Sequence, residues 1–387
     1  MKEPVANVTI GGVTTPYTDL HEAVEAAKNG GTLELLCNVD LAGKTWAPVA
    51  NFNGTFDGAG FTISNLTVSA AESTEIGFIG KVSGGTATIK NVTFAKANVA
   101  GKKNTAVIVG QMSSSIIVTD VVITDCEVTA DTYAGGVFGH NGSHGAALTR
   151  VQVLNSTFVT TAGTDENKKV GALFGYCDDG SIGSTSFTDC TVKGNTIDAG
   201  RNAGAVAGQA NGRLVFTNLI AEDNTVKKAG VETGALFGGF AKDRQATITG
   251  EDTDVEATIF CEEGEYFNKP ILTGGTYTIE PTADVATIAD GYKVVDNGDD
   301  TWTVLPRIQV ALTISAENAT VDGIEAGTVY EGSNLTFTVA ANTGYKLVDV
   351  KANGAVLTDK EGNYTYAVTG EEAEQALAIV VTMEEDV

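Results

Sequence analysis

The chain has 387 residues, with 46 Gly, only 6 Pro, 42% hydrophobic and 19% charged residues, a balance that excludes a disordered or collagen-like chain. Its 49 Asp+Glu against 24 Lys+Arg give a formal charge of -25, which repels nucleic acid and anionic membranes and argues against a pectate-like polyanion as substrate. Short runs of Val, Thr and Ile bounded by Gly, Asn and Asp mark an all-β chain.

The opening MKEPVANVTIGG contains no apolar stretch of the signal-peptide kind, and no run of about 18 apolar residues follows, so membrane insertion is not expected. Within YTDLHEAVEAAKNGGTLELLCNVDL one amphipathic helix is predicted over about 19–27, stopped by Asn29-Gly30-Gly31 and followed by a strand. A helix there would cap the open end of a stack of strands.

From about 61 to 240 a glycine-anchored motif recurs as GFIG, AVIVG, GGVFG, GALFG, GAVAG and GALFG, ending at Gly80, Gly110, Gly139, Gly175, Gly208 and Gly238. The spacing of about 30 residues is that of one supersecondary unit per repeat, too short for a propeller blade of about 40 to 50. Stacked about 4.8 Å apart, such units would share a continuous core, which predicts a right-handed parallel β-helix (a solenoid). One column of the stack is expected to contain Phe78, Val109, Phe138, Phe174, Ala207 and Phe237 as an interior ladder. Another is expected to contain Asp125, Asn155, Asp189 and Asp223 at a turn, with the cysteines of the DC pairs, Cys126 and Cys190, two coils apart at one position. The five cysteines form no CxxC pair and suit neither a zinc site nor a disulfide framework. Residues 241–305 lose the anchor and predict irregular final coils with a hairpin at Asn297-Gly298. A boundary at Leu305-Pro306 then separates the β-helix, 1–305, from longer strands over 306–387 that suit a small β-sandwich.

WAPVANFNGTFDGAGFTISNLTV (Trp46 to Val68), with the glycine-anchored repeats after it, resembles the GLUG-motif β-helices of bacterial surface proteins. That family includes adhesin-like proteins and the non-catalytic region of immunoglobulin A proteases. Glu317 to Gly354 is similar to the divergent internalin-B-type repeat, and Thr273 to Val304 looks like a segment of gut-bacterial surface proteins. The resemblance implies surface display and binding, and it supplies no catalytic residues.

Candidate chemistry is sparse. Asp178-Asp179 is the adjacent acid pair on a repeat turn, and Ser143-His144-Gly145 superficially completes a polygalacturonase-like set, but the basic motif of that family is missing. Arg150, Arg201, Arg213 and Arg244 form no column. His140 and His144 lack a third metal ligand, and DNGDDT from Asp296 has Arg307 where a calcium loop needs Glu, so neither metal nor cofactor is expected. Glu262-Glu263 and Glu371-Glu372 fit solvated faces. The position after each anchor holds Lys81, Gln111, His140, Tyr176, Gln209 and Gly239, a mixed aromatic and amide stripe of the kind that binds sugars. The expectation is a non-enzymatic, extracellular, adhesin-like binding protein, with glycans or a cell-surface protein as partner. The alternatives are a phage virion fibre, which would oligomerise, and a polysaccharide lyase or glycoside hydrolase.

Overall fold

A computed structural model describes the chain apart from residues 1, 71–72, 143, 162–166, 179–184, 241–243, 245, 262–267, 361 and 387. It divides into two compact units, Met1–Ala289 with Val294–Leu305, and Asp290–Lys293 with Pro306–Val387. The exchange of 290–293 into the second unit has no counterpart in a single cut at Leu305-Pro306.

The first unit is a solenoid-like stack of parallel strands. One coil runs through Ile116–Thr124, Glu127–Ala130, Tyr133–Gly135 and Phe138–Asn141. The next begins with Ala146–Leu154, which lies in parallel register over Ile116–Thr124. The four strands of each coil therefore extend four sheets, each with one face of the alternation buried in the shared core.

The long strand shows how the sequence makes a corner. In IIVTDVVIT the buried residues are Ile116 and Val118, then Val121 and Ile123. The alternation slips by one at Asp120, whose φ is 55°. A single left-handed residue turns the strand so that both halves still face inward, and after glycine Asp and Asn tolerate that conformation best. Two such corners occur in each coil. One holds Asn91, Asp120, Arg150, Asp189 and Asn218, and the other holds Asn65, Lys96, Asp125, Asn155 and Asp223, all with positive φ.

These two corners correct the expected columns. Leu154 pairs with Lys193, so Asn155 lies beside Gly194, whereas Thr149 pairs with Thr188, which sets Asp189 beside Arg150. Asp189 and Cys190 therefore belong to the first corner, and Asp125 and Cys126 to the second. The interior ladder needs one correction as well. Val109 pairs with Ile79 rather than Phe78, because Gly80 and Gly110 are in register and Ile79 is the residue before the glycine. Val109, Phe138, Phe174, Ala207 and Phe237 follow in register as expected. Phe78 is fully buried elsewhere, stacked on Trp46 at 4.6 Å and edge-on to Phe56 and Phe94.

The glycine anchors answer to close approach rather than to φ. A Cβ on Gly110 would lie 2.4 Å from the Ile76 nitrogen, one on Gly139 2.4 Å from the Thr105 nitrogen, and one on Gly208 2.4 Å from the Val170 nitrogen. Two sheets thus meet backbone on backbone along this line, and only glycine leaves room.

At the N-terminal end the helix spans Leu20–Ala27, with Asp19 as its cap accepting from the His21 and Glu22 N–H groups. Leu20, Ala23, Val24 and Ala27 form its buried face. The sheet edge is covered by a hairpin that the sequence reading missed. Ala6–Ile10 pairs antiparallel with Thr32–Leu35, and Val13–Tyr17 lies outside it. Gly11-Gly12 between two alternating runs was the readable signal. Pro16 sits in the outermost strand, where a missing N–H suits an open edge.

The second unit has a five-stranded and a three-stranded sheet around one core that includes Val310, Leu312, Phe337, Val350, Leu377 and Ile379. Leu347 is 37% exposed, because an irregularity between Leu347 and Asp349 shifts the strand's alternation. Glu372 also departs from the expected solvated face. It is 6% exposed and accepts from the Tyr366 hydroxyl at 2.7 Å, the Thr369 hydroxyl at 2.9 Å and the Gly370 N–H at 2.8 Å.

Candidate functional site

The register places Lys81 beside Gln111, Gln111 beside His140, His140 beside Tyr176 and Tyr176 beside Gln209. Gly239 continues the line through its carbonyl, which accepts from the Ala210 N–H. Sequence reasoning missed what faces this column. A second one, Glu75, Asn104, Tyr133, Lys169 and Asn202, runs in register on the neighbouring sheet. Its signal was present in the sequence as a polar or aromatic residue six or seven places before each anchor-following residue.

The two columns pair coil by coil. The Lys81 ammonium meets the Glu75 carboxylate at 3.0 Å, and the Asn104 amide donates to the Gln111 carbonyl at 3.2 Å. Tyr133 contacts both His140 and Tyr176, with ring centroids at 5.4 and 5.1 Å. The Lys169 ammonium lies 4.7 Å from the Tyr176 ring centre and 5.1 Å from that of Tyr133, within cation–π range. His140 and Tyr176 stack at 5.3 Å with planes 5° apart. The Gln209 amide donates to Asn211, whose own amide donates to the Tyr176 hydroxyl at 2.7 Å.

The middle of this seam carries its most concentrated chemistry. His140 Nε2 lies 2.9 Å from Asp178 Oδ2. That hydrogen bond, against some burial, lowers the Asp178 pKa below the usual carboxylate value. Burial first, and then the neighbouring Asp178 carboxylate, push the Tyr176 hydroxyl well above its ordinary range. Five members, Asn104, Tyr133, Lys169, Asn202 and Gln209, are more than nine-tenths buried. The Asn104 and Asn202 carbonyl oxygens and His140 Nδ1 are buried without a hydrogen-bond partner.

Other candidates do not converge. His144 is bound to Asn141 through its backbone N–H, away from the His140–Asp178 pair, so the HxxxH spacing makes no joint site. Ser143, Asp179, Glu262 and Glu263 lie outside the described residues. In DNGDDT the Asp296 carboxylate accepts from the Gly298 N–H and the Asn297 side chain binds Thr301 and Thr303, which is a turn network. Arg150 is held by a bidentate pair with Asp120 at 2.6 and 2.8 Å. Among the described residues no group of three or more His, Cys, Asp and Glu is placed to hold a metal, and no helix is long and apolar enough to cross a membrane.

Beside the seam lies a concavity of about 450 Å³, lined by Thr74, Lys102, Lys103, Asp131, Thr132, Thr161 and Lys168. A second, of about 410 Å³, lies at the start of the helix against Leu20, His21, Leu41 and Trp46.

Fold and seam together define an all-β repeat protein of solenoid-like build. No protein-family profile matches the chain. Over 100 residues it is 31% identical to Halomucin of Haloquadratum walsbyi, a match covering 25% of this chain and 1% of that protein. A crystal structure of a candidate immunoglobulin A1 protease from Bacteroides ovatus aligns over 67% of this chain and 80% of its own, at 15% identity and a TM-score of 0.46. A likeness that slight carries no argument about fold or activity.

Proposed function

We propose that the chain is a non-enzymatic, extracellular binding module, a right-handed parallel β-helix with a C-terminal β-sandwich of the kind found in GLUG-motif, adhesin-like surface proteins, and that it recognises glycans along the flank of the helix. The observation that carries this reading is the polar seam, a double column of aromatic, amide and charged side chains running the length of five coils beside an open concavity. Aromatic faces with amides and hydroxyls around them suit sugar rings.

The same seam favours binding over catalysis. Glycoside hydrolysis needs two carboxylates flanking the bond, and Asp178 is the described carboxylate at its centre, already committed to His140. A lyase needs a side chain that readily accepts a proton. Tyr176, with its pKa raised, holds its proton through the neutral range.

The full chain is tested on a broad glycan array, with a parallel assay for new reducing or unsaturated sugar ends. Retention of a defined glycan set without chain cleavage is the expected result. Turnover of a polysaccharide, or the absence of any glycan retention, would overturn the reading.

A further inference from the structure

The concavity of about 410 Å³ at the helix-capped end of the stack shares no residue with the seam. Its floor is apolar. Leu20 of the helix and Val39, Leu41 and Trp46 of the following segment line it, each less than a tenth exposed. Trp46 is held in place by its ring stack on Phe78, by an indole N–H donated to the Phe78 carbonyl at 2.8 Å and by the His21 ring edge-on at 4.9 Å. His21 is fixed in turn, because its Nε2 donates to the Ala47 carbonyl at 3.0 Å. A ligand entering here meets a surface that is already ordered.

Three polar side chains in the lining share one arrangement, in which backbone N–H groups clamp one atom and leave capacity on the other. Asp19 Oδ1 accepts from the His21 and Glu22 N–H groups at 2.9 and 3.3 Å, while its Oδ2 has the Lys44 ammonium no nearer than 3.9 Å. Asn38 Oδ1 accepts from the Thr62 N–H at 2.9 Å, and its amide nitrogen, with two N–H donors, has no protein partner among the described residues. Asp40 Oδ1 accepts from the Ala42 N–H at 2.9 Å and the Asn65 amide at 2.8 Å, with the Ser64 side chain as a weaker donor. A carboxylate has about four acceptor sites, so one remains. The Asn65 amide, and after it the Ala42 N–H, hold the Asp40 carboxyl below the usual range, so it stays an acceptor at neutral pH.

We infer that this concavity binds a neutral hexopyranose residue, its C–H face over Leu41 and Trp46 and its hydroxyls bonded to Asp19, Asn38 and Asp40. Fixed acceptors beside a fixed donor match neighbouring sugar hydroxyls, each of which both donates and accepts. The volume lies within the range of small-ligand sites, and an apolar floor with a few oriented polar groups is their usual build. Charge sets the neutrality of the ligand. Lys2 and Lys44 stand against Asp19 and Asp40, so the described lining carries no net formal charge. Met1, beside Lys2, lies outside the described residues. Glu3 and Glu22, next in sequence to the lining, and the formal charge of -25 on the whole chain oppose an acidic sugar. The site rests on its own lining, at the capped end of the stack, and not on the reading of the seam.

The chain has two tryptophans, Trp46 and Trp302, so Trp302→Phe makes Trp46 the sole fluorescent reporter. This full-length variant is titrated with methyl β-D-glucopyranoside, methyl β-D-galactopyranoside and methyl α-D-mannopyranoside, with D-glucuronic acid and L-leucine as controls. Heat and Trp46 emission are followed together. At least one glycoside is expected to saturate both signals, and neither control to match it. Asn38→Asp keeps the acceptor for the Thr62 N–H but loses the donors, and Asp40→Asn keeps one oxygen for the Ala42 N–H but turns the other into a donor. Each should weaken binding about tenfold or more while the urea midpoint stays near that of the parent. No response to any of the three glycosides, an equal response to glucuronic acid or L-leucine, heat without a change at Trp46, or unchanged binding in both variants would each overturn the site. Glycans still retained on the array in that case would leave the reading of the seam standing.

Discussion

Gly139→Ala tests whether the glycine anchors exist for backbone contact. The added Cβ would lie 2.4 Å from the Thr105 nitrogen, 2.7 Å from the Asn104 carbonyl carbon and 2.9 Å from the Thr105 oxygen. Ordinary contact is about 3.5 Å, so the methyl is roughly 0.6 to 1.1 Å too close to three atoms. All three are backbone, and Thr105 is fixed in parallel register between Ile76 and Ala134, so nothing nearby can swing aside. Overpacking costs about 1–3 kcal/mol where side chains can adjust, and this site belongs at or above the top of that range. The φ of Gly139 is not positive, so alanine also gains about 0.4–1 kcal/mol by restricting the unfolded chain, leaving a net loss of about 2 kcal/mol or more. Gly298→Ala provides the contrast, with φ 77° and nothing within 4 Å of its Cβ, and should cost about 1–2 kcal/mol from backbone conformation alone. Both lie in the first unit, so urea unfolding followed by circular dichroism compares them directly. A Gly139→Ala midpoint equal to wild type, or a larger loss for Gly298→Ala, would refute the close-approach account.

Phe174→Asp puts a carboxylate between Phe138 and Phe187, whose rings stack on Phe174 at 5.0 and 5.8 Å, and should cost several kcal/mol and abolish the cooperative thermal transition. Asn195→Ala removes the acceptor for the Ser156 N–H at 3.0 Å and the donor to the Val153 carbonyl at 2.8 Å, both buried, and should lower stability by about 2–4 kcal/mol in denaturant titration. Burial raises the Glu372 pKa, but hydrogen bonds from Tyr366, the turn backbone and Thr369 outweigh it and bring it from 4.5 to about 2. The folded pKa is depressed, so its stabilisation is complete above about pH 4.5 and is lost as pH falls towards 2. At full value that is about 3 kcal/mol, trimmed to about 2 by the thin turn around it, and calorimetric scans of Glu372→Gln should show a flatter pH dependence over that window.

The all-β class and the parallel stacking were legible because they rest on local chemistry repeated many times. The glycine anchors, the alternating Val and Ile, and the helix stop at Asn29-Gly30 each repeat or end a pattern within a few residues. The stripe from Lys81 to Gln209 was legible for the same reason, since it keeps a fixed distance from each anchor. Its facing column was not. Glu75, Asn104, Tyr133, Lys169 and Asn202 keep a nearly fixed distance from the anchors but mix acid, amide, phenol and ammonium groups, and only the second sheet's register shows that they form a column facing the first. Glu372 was misread for a related reason. Two adjacent acids look solvated in one dimension, and only the fold of its own turn gives the second a set of donors.

The exchanged corners show where a repeat sequence becomes ambiguous. Both corners of a coil require a left-handed residue, so both favour Asn or Asp, with Arg150, Lys96 and Gly194 as exceptions. DCEV at 125–128 and DCTV at 189–192 are therefore chemically alike although they occupy different corners. The spacing between them is uneven, since Thr124 pairs with Leu154, 30 residues on, whereas Leu154 pairs with Lys193, 39 residues on, and the even interval that would have told them apart is lost. Side-chain partners resolve it. Cys126 follows Ala97 and precedes Ser156, whose hydroxyl accepts from its N–H at 3.0 Å, and Asn195 and Asn224 continue that line by amide-to-backbone bonds. Cys190 instead stands in the line of Val92, Val121 and Val151, with the Ile220 N–H on its carbonyl. The two thiols thus lie on different corners as well as in different coils. They are free, and burial pushes each up to about 11, so neither is poised as a thiolate to form a disulfide. A bridge between them is excluded more firmly by the two-corner register than by the single column expected from sequence, since distance along the stack and separation around the coil both oppose it.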